Sequence, residues 1–320
     1  MTDFWAGRRV LVTGGSGFIG RAVLRRLADR GAGTVIAPRS AEYDLTRPDD
    51  TAKLFVDAQP DVVIHLAARV AGIGGNLARP ADLYLENLLM GTYVLEEARR
   101  AGTPKTVVVG TICSYPHVTP TPFREEDLWN GYPEITNAPY GVAKKALLVH
   151  GNANRQQYGQ CSIHVMPTNS YGPGDKFDPA VSHVIPALIR KCVEAKERGD
   201  DAVDIWGTGT ASRDFLYVDD TAEGILLAAE HYDSPEPVNL GSGTEVRIRE
   251  LAEMIATATG FDGVLRWDPS KPDGQPRRQL DITRARQFGF APTVPFAEGL
   301  RTTVEWYLAN REDADRPAAR

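Results

Sequence analysis

The chain has 320 residues, 42% of them apolar, and its 36 basic and 42 acidic side chains leave a net charge of −6. That length allows one large domain or two of ordinary size, and that apolar share excludes a disordered chain. The mild acidity argues against a general nucleic-acid binder, which needs a basic stripe. The 30 glycines and 22 prolines follow no period that would make a fibre. The start of the chain reaches Arg8 and Arg9 and then only a short apolar run, which is not the pattern of a secretory signal. The uncharged stretch at residues 106–123 is full of threonine and proline and too broken to span a bilayer. Cys113, Cys161 and Cys192 are too scattered for a disulfide framework or a zinc site. The expectation is a reduced, soluble, cytoplasmic protein with no metal, no nucleic acid and no membrane among its partners.

Taken in chain order, residues 9–13 read as a strand, and apolar spacing at Ile19, Val23, Leu24 and Leu27 predicts a helix over 18–30. A second strand follows at 34–37, a helix at 51–58 and a third strand at 61–66. The third is largely apolar, as a parallel strand covered on both faces should be. A long helix at 84–101 and a strand at 106–109 complete the alternation. Repeated β-α units of this length predict an α/β fold with a Rossmann-type, doubly wound parallel sheet. Beyond it come a helix at 143–158, a strand at 162–165 ending on Met166-Pro167, and a helix at 185–196. A strand at 215–218 precedes Asp219, read as the N-cap of the next helix. A strand at 238–240, a helix at 248–258, a polar basic loop at 271–278 and a frayed tail at 311–320 follow. Residues 1–168, with about 214–240, are assigned to the dinucleotide-binding domain, 169–213 and 241–310 to a smaller α/β substrate lobe, and 311–320 to a flexible tail.

The first strand runs into Thr13-Gly14-Gly15-Ser16-Gly17-Phe18-Ile19-Gly20. Glycines at 14, 17 and 20 between a strand and a helix form the fingerprint of a dinucleotide site. The first permits the tight turn, the second lets the backbone approach a pyrophosphate, and the third lets helix pack on strand. The helix start then offers free amides to phosphate. An NAD site carries an acid at the end of the second strand for the ribose 2′-hydroxyl. Here that segment reads Ala37-Pro38-Arg39-Ser40. Arg39 stands where a 2′-phosphate would lie, which favours NADP.

Tyr140 and Lys144 are four residues apart at a helix start and therefore on one face. The pair also occurs by chance on surface helices, but here it follows a dinucleotide motif. Lys144 is expected to lower the phenol's pKa and so ready Tyr140 for proton exchange with a carbonyl or alcohol. Thr111, just past the fourth strand, is placed to share the same substrate oxygen.

These segments, with His65-Leu66-Ala67-Ala68, resemble the extended short-chain dehydrogenase/reductases, most of which modify nucleotide sugars. Residues 70–76, Cys113-Ser114-Tyr115-Pro116, Met166-Pro167-Thr168-Asn169, Tyr171-Gly172-Pro173, residues 182–188, Trp206-Gly207-Thr208-Gly209 and Lys271-Pro272-Asp273-Gly274 resemble, more narrowly, the GDP-L-fucose synthase family. The likeness runs from about Arg9 to Leu308. It implies NADPH-dependent 3,5-epimerisation and 4-reduction of a nucleotide-linked 4-keto-6-deoxyhexose. It assigns Cys113 and His183 as the acid and base of epimerisation, and Tyr140, Lys144 and Thr111 to the reduction. It adds Leu66, Ala67, Ala68, Val109, Gly110, Pro167, Asn169 and His183 to the cofactor contacts. Asn169, Lys191, Trp206, Arg213, Lys271 and Asp273 become the substrate contacts, and a homodimer is implied through helices 84–101 and 143–158. Cys161 and Cys192 keep a packing role. The chain departs from the family at Ser16, where some relatives carry an arginine, at Thr111, at Lys191, and at Ser114, which is expected to alter the sugar pocket. These departures leave open another nucleotide or sugar, such as a heptose or a secondary-metabolite deoxysugar, and an epimerase without net reduction. A dinucleotide sensor without catalysis is a separate reading, and the presence of Tyr140, Lys144, Thr111, Cys113 and His183 speaks against it.

Overall fold

A computed structural model describes residues 4–179 and 181–315. Strand β1 (Arg9–Thr13) is buried on both sides: Val10 and Val12 join one core and Leu11 the opposite one. Helix α1 (Phe18–Asp29), β2 (Thr34–Ile36), α2 (Pro48–Ala58) and β3 (Val62–His65) follow as read, and α3 (Ile73–Ala78) is a short addition. Helix α4 (Pro80–Arg100) begins a turn earlier than its apolar periodicity indicated, because Pro80 suits the first helical position. Then come β4 (Lys105–Val109), a 3₁₀ turn at Ile112–Ser114, and α5 (Ala138–Tyr158). Pro139 lies in the first turn of α5, and Gly159 closes the helix at φ +72°, a left-handed conformation that suits glycine. Strand β5 (Ser162–Pro167) carries through Met166-Pro167.

The second half contains β6 (Asn169–Tyr171), α6 (Val184–Arg198), β7 (Ala202–Trp206), β8 (Ser212–Arg213), β9 (Phe215–Tyr217) and α7 (Val218–His231). It continues through β10 (Val238–Leu240), β11 (Val246–Arg247), α8 (Ile248–Thr259), β12 (Val264–Asp268), β13 (Arg277–Arg278), α9 (Thr283–Arg286), α10 (Phe296–Ala309) and α11 (Arg311–Ala314). The main sheet has the order β10-β5-β4-β3-β1-β2 and every pairing in it is parallel. Its order reverses between β1 and β3, so the crevice for a ligand opens beyond the C-terminal ends of those strands.

Val23 and Leu27 of α1 and Ile225 and Leu226 of α7 cover one face of this sheet. Leu54 and Phe55 of α2 and Val94 and Ala98 of α4 cover the other, with Leu147 of α5 set against Val108. A second core gathers α6, α8 and α10 around Val203 and Ile205 of β7. The chain returns to the first core late, through Ala285 and Phe290.

Several local expectations are corrected. Asp219 is not the N-cap. Tyr217 holds that position, and Asp219 sits in the first turn, where an acid favours the helix dipole and pairs with Arg25 at 2.8 Å. The pair β7–β12 was not anticipated, although Val203 and Ile205 alternate with exposed Asp204 and Trp206. The basic loop ends in β13, which pairs with β8. Residues 311–314 of the expected tail form a helix whose Arg311 reaches Glu197 and Asp315, while 316–320 lie outside the described residues. Among the described residues no helix is long and apolar enough to cross a membrane.

Asn239 of β10 ties the sheet edge to the segment that carries the site. It is fully buried, accepts from the Tyr115 hydroxyl at 2.7 Å, and donates to the Phe123 and Asp281 carbonyls at 3.0 and 3.1 Å. Asn239→Leu strands these partners. With roughly 1–3 kcal/mol lost for each buried group left unpaired, chemical denaturation should register a loss of at least about 2 kcal/mol. An unchanged midpoint would show that the network contributes nothing.

Candidate active site

The glycine loop is shaped by backbone approach. A Cβ on Gly14, at φ +72°, would stand 2.7 Å from the Ala67 amide nitrogen, and one on Gly20 would stand 2.2 Å from the Gly14 carbonyl oxygen. The loop thus packs against the segment after β3, where Leu66, Ala67 and Ala68 lie half-buried. Gly15 abuts Ala37 at the end of β2, which brings Arg39 and Ser40 to the same rim. Arg39 is exposed, its backbone amide donates to Glu42 at 2.9 Å, and among the described residues its side chain has no ion-pair partner. Helix α1 starts at Phe18 with no side-chain cap, so its first amides remain available to an anion. These features fit a dinucleotide: glycines where a Cβ would collide, free helix-start amides, and an unpaired arginine at the rim.

Beyond β4 the Thr111 hydroxyl caps the 3₁₀ turn by accepting from the Cys113 amide at 3.2 Å, and it also lies within hydrogen-bonding reach of Tyr140. Gly141 allows α5 to begin directly against this turn, since a Cβ there would stand 2.3 Å from the Cys113 carbonyl oxygen. Tyr140 is therefore held beside Thr111 and Cys113, with Lys144 one turn further into the protein.

The expected lowering of the phenol does not occur. Burial and the adjacent Cys113 push the Tyr140 phenol up, only partly opposed by Thr111, while burial brings the Lys144 amine down to about 8. The same desolvation penalises both charged forms. Tyr140 thus rests as a protonated phenol, a donor. Ser114 is also corrected: it is fully buried and donates to the Gly141 carbonyl at 2.9 Å, so it braces α5 and does not face a sugar.

Arg278, read only as part of a basic loop, is a member of this site. It is buried, donates to the Gln275 side chain at 2.8 Å, and holds a guanidinium nitrogen 3.6 Å from the Cys113 sulfur. The Asn137 side-chain amide sits 3.2 Å from both the Arg278 guanidinium and the Glu134 carbonyl. No local signal marked Arg278, since 165 residues separate it from the cysteine.

Across the crevice, Gly72 packs on the carbonyl of Ser182, which sets the 70–76 loop against His183. His183 precedes α6 and is exposed to solvent, yet the surrounding protein and Lys176 hold its pKa below the ordinary histidine value. Asn169 donates to the Asp214 carbonyl at 3.0 Å. Pro167 ends β5 beside β10. Val109 and Gly110 are buried at the end of β4, with Gly110 against Met166.

The structure brings the remaining predicted substrate residues together on the second lobe, though not all are free. Arg213 donates to the carbonyls of Ser212, Gln275 and Asp273, and burial beside Arg278 lowers it to about 9. Asp273 is committed to the Thr208 amide and hydroxyl, both at 2.8 Å. Lys271 lies 5.6 Å over the ring of Trp206, which is exposed, and Lys191 donates to the Asp204 carbonyl at 2.9 Å. Cys192 packs in the second core, and the Cys161 thiol donates to Asp233.

Residues 10–241 match the model of the NAD dependent epimerase/dehydratase family. The chain belongs to that family. It is 44% identical over 305 residues to a probable GDP-L-fucose synthase of Oryza sativa, covering 95% of this chain and 93% of the relative. It is 41% identical to a GDP-L-fucose synthase of Sinorhizobium fredii, covering 96% and 98%. A crystal structure of a GDP-L-fucose synthetase from Naegleria fowleri bound to NADP superposes with a TM-score of 0.88 at 32% identity, covering 96% and 94%. The chain is accordingly an enzyme of the epimerase/reductase type on a Rossmann-type fold.

Asp175, in the loop after β6, has one oxygen bonded to the Lys176 amide at 2.7 Å and the other buried without a partner. Burial pushes its carboxyl up to about 7. The folded chain therefore binds this proton more tightly than the unfolded one. That contribution to stability is full below the ordinary carboxylate value and is lost as pH rises toward 7. Asp175→Asn should remove the slope, so the variant gains on the parent between pH 5 and pH 8 in denaturant unfolding. Parallel curves would refute the assignment.

Proposed function

We propose that this enzyme takes a GDP-linked 4-keto-6-deoxyhexose, inverts C3 and C5, and reduces the C4 ketone with NADPH. The convergence of Thr111, Cys113, Tyr140 and Lys144 at the mouth of the crevice, with Arg278 at the sulfur, carries this reading. The names of its relatives support the guanine nucleotide and the fucose-type product, and the NADP-bound Naegleria structure supports the cofactor. The glycine loop from Gly14 to Gly20, Leu66, Ala67, Ala68, Val109, Gly110 and Pro167 would hold NADPH, with Arg39 and Ser40 at its 2′-phosphate. When bound, the cofactor supplies the hydride.

The ketone acidifies the protons on C3 and C5, and each inversion needs a base on one sugar face and an acid on the other. Cys113 and His183 would fill these roles, one on each face of the sugar. The Arg278 guanidinium stands 3.6 Å from the Cys113 sulfur. The depressed pKa of His183 keeps its imidazole neutral near pH 7, able to accept a proton. Tyr140 and Thr111 bind the C4 oxygen while negative charge develops there. Tyr140 then donates its proton to that oxygen as C4 is reduced, and the Lys144 ammonium offsets the phenolate that remains. Arg213, Lys271 and Lys191 meet the diphosphate, and Trp206 packs on the nucleoside. We place the enzyme in the cytoplasm as a homodimer through α4 and α5, a reading supported by the exposed Leu85 and Val149 on those helices.

Turnover in heavy water should place deuterium at C3 and C5 while NADPH absorbance falls. Tyr140→Phe should cut reduction by about 10²–10⁴, the usual span for a general acid, and leave deuterium entry measurable. Cys113→Ser should block deuterium entry. Wild-type turnover by Cys113→Ser on GDP-, ADP-, CDP- and dTDP-linked ketosugars alike would overturn the reading.

A further inference from the structure

Trp206 ends β7 exposed to solvent, with Lys271 5.6 Å over its ring. Side chains alternate along a strand, and its predecessor Ile205 is buried in the second core. Ile205 is registered against Trp267 of β12, whose half-buried indole packs against the same core. The two tryptophans therefore stand on opposite faces of one two-stranded sheet. The scheme above uses only Trp206.

The turn that follows Trp206 is held at two points. At the first, Gly207 has φ +85°, and a Cβ there would stand 2.1 Å from an Asp273 carboxylate oxygen. That carboxylate accepts from the Thr208 amide and hydroxyl, both at 2.8 Å. At the second, Gly209 has φ +76° and lies on the Trp267 indole, where a Cβ would stand 2.8 Å from the ring. Both positions need the left-handed backbone and the close approach that glycine allows. Arg249 of α8 completes the second hold. Its guanidinium lies 4.8 Å over the Trp267 ring and donates to the Thr208 carbonyl at 2.9 Å, and its backbone amide donates to the Gly209 carbonyl at 3.0 Å. Asp273 in turn gives its own carbonyl to Arg213 at 3.0 Å. Contacts thus run without a break from Trp267 through Gly209, Thr208 and Asp273 to Arg213.

We propose that Trp267 and Arg249 are positioning residues for the nucleotide: they fix the turn that presents Trp206 to the nucleoside and holds Asp273, and through Asp273 the Arg213 guanidinium, for the diphosphate. The proposal rests on the placement of the nucleotide against Trp206 and Arg213 given above. An indole is a rigid plate with two rotatable bonds, so a turn laid on it keeps one height above the sheet. A smaller side chain lets the turn sink and carries Trp206 and Asp273 with it. The guanidinium over the indole face adds cation–ring attraction to the same contact. The chemistry at Cys113 and Tyr140 lies outside this chain of contacts, so its loss acts on nucleotide affinity and leaves the catalytic groups in place.

Calorimetric titration of the full chain with GDP, beside KM and kcat for the nucleotide sugar, tests this. Trp267→Leu should weaken GDP binding and raise KM by about tenfold, the size of one lost interface contact, with kcat and the NADPH Kd unchanged. Trp267→Phe keeps a ring under Gly209 and should bind GDP as the parent does. Arg249→Met changes an exposed side chain and should also weaken GDP binding, which keeps the test open should Trp267→Leu fail to fold. A lower melting temperature in Trp267→Leu with parental GDP affinity would overturn the proposal and leave Trp267 as a packing residue. Equal losses of GDP affinity, NADPH affinity and kcat would overturn it too, because the damage would then be to the whole fold. Trp206→Ala separates the two readings. If it weakens GDP binding and Trp267→Leu does not, the positioning role alone fails. If it binds GDP as the parent does, the placement of the nucleoside on Trp206 fails and takes the role of Trp267 with it.

Discussion

The position of every reacting group follows from how closely α5 begins against the turn that carries Cys113. With no side chain at Gly141, the helix meets the Cys113 carbonyl directly, and the Ser114 hydroxyl clamps the contact from below. The interval between sulfur and phenol is therefore set by backbone atoms, which move little, and not by long side chains, which move freely. The same device recurs at Gly14 and Gly20, where main chain meets main chain under the cofactor site. Preorganisation of this kind costs the enzyme no rearrangement when charge develops on the substrate oxygen.

Burial then decides the electrostatics. Lys144, Tyr140, His65 and His164 all have their charged forms disfavoured by desolvation, so the inner site holds a protonated phenol and uncharged imidazoles beside the Lys144 ammonium. Around it the charge is positive and crowded, with Arg213 and Arg278 partly buried beside each other. Two like charges held together out of water favour an anionic partner, and a nucleoside diphosphate suits that need. The overall charge of −6 is no obstacle, because the field at the crevice is set by these few local cations.

The departures from family pattern read differently once the side chains are located. Thr111 keeps the hydroxyl and adds a cap on the Cys113 amide. Ser114 turns inward, away from any sugar, and braces a helix. Arg21, four residues after Gly17, reaches back to the carbonyls of Ser16 and Gly174, so the glycine loop is tied to the loop that leads toward His183.

What the chain's local pattern could tell was the sheet, the glycine turn, and the pairing of Tyr140 with Lys144. Each depends on residues within one strand, one turn or one helix, where periodicity and backbone geometry act at short range. The ordering of β7 beside β12 and the recruitment of Arg278 to Cys113 depend on strand register and lobe packing, and no spacing along the chain encodes them. The pKa of Tyr140 lies beyond the sequence for the same reason. Its neighbour Lys144 is visible in the sequence, but the burial that outweighs that neighbour exists only after the sheet, α4 and α5 have closed around both.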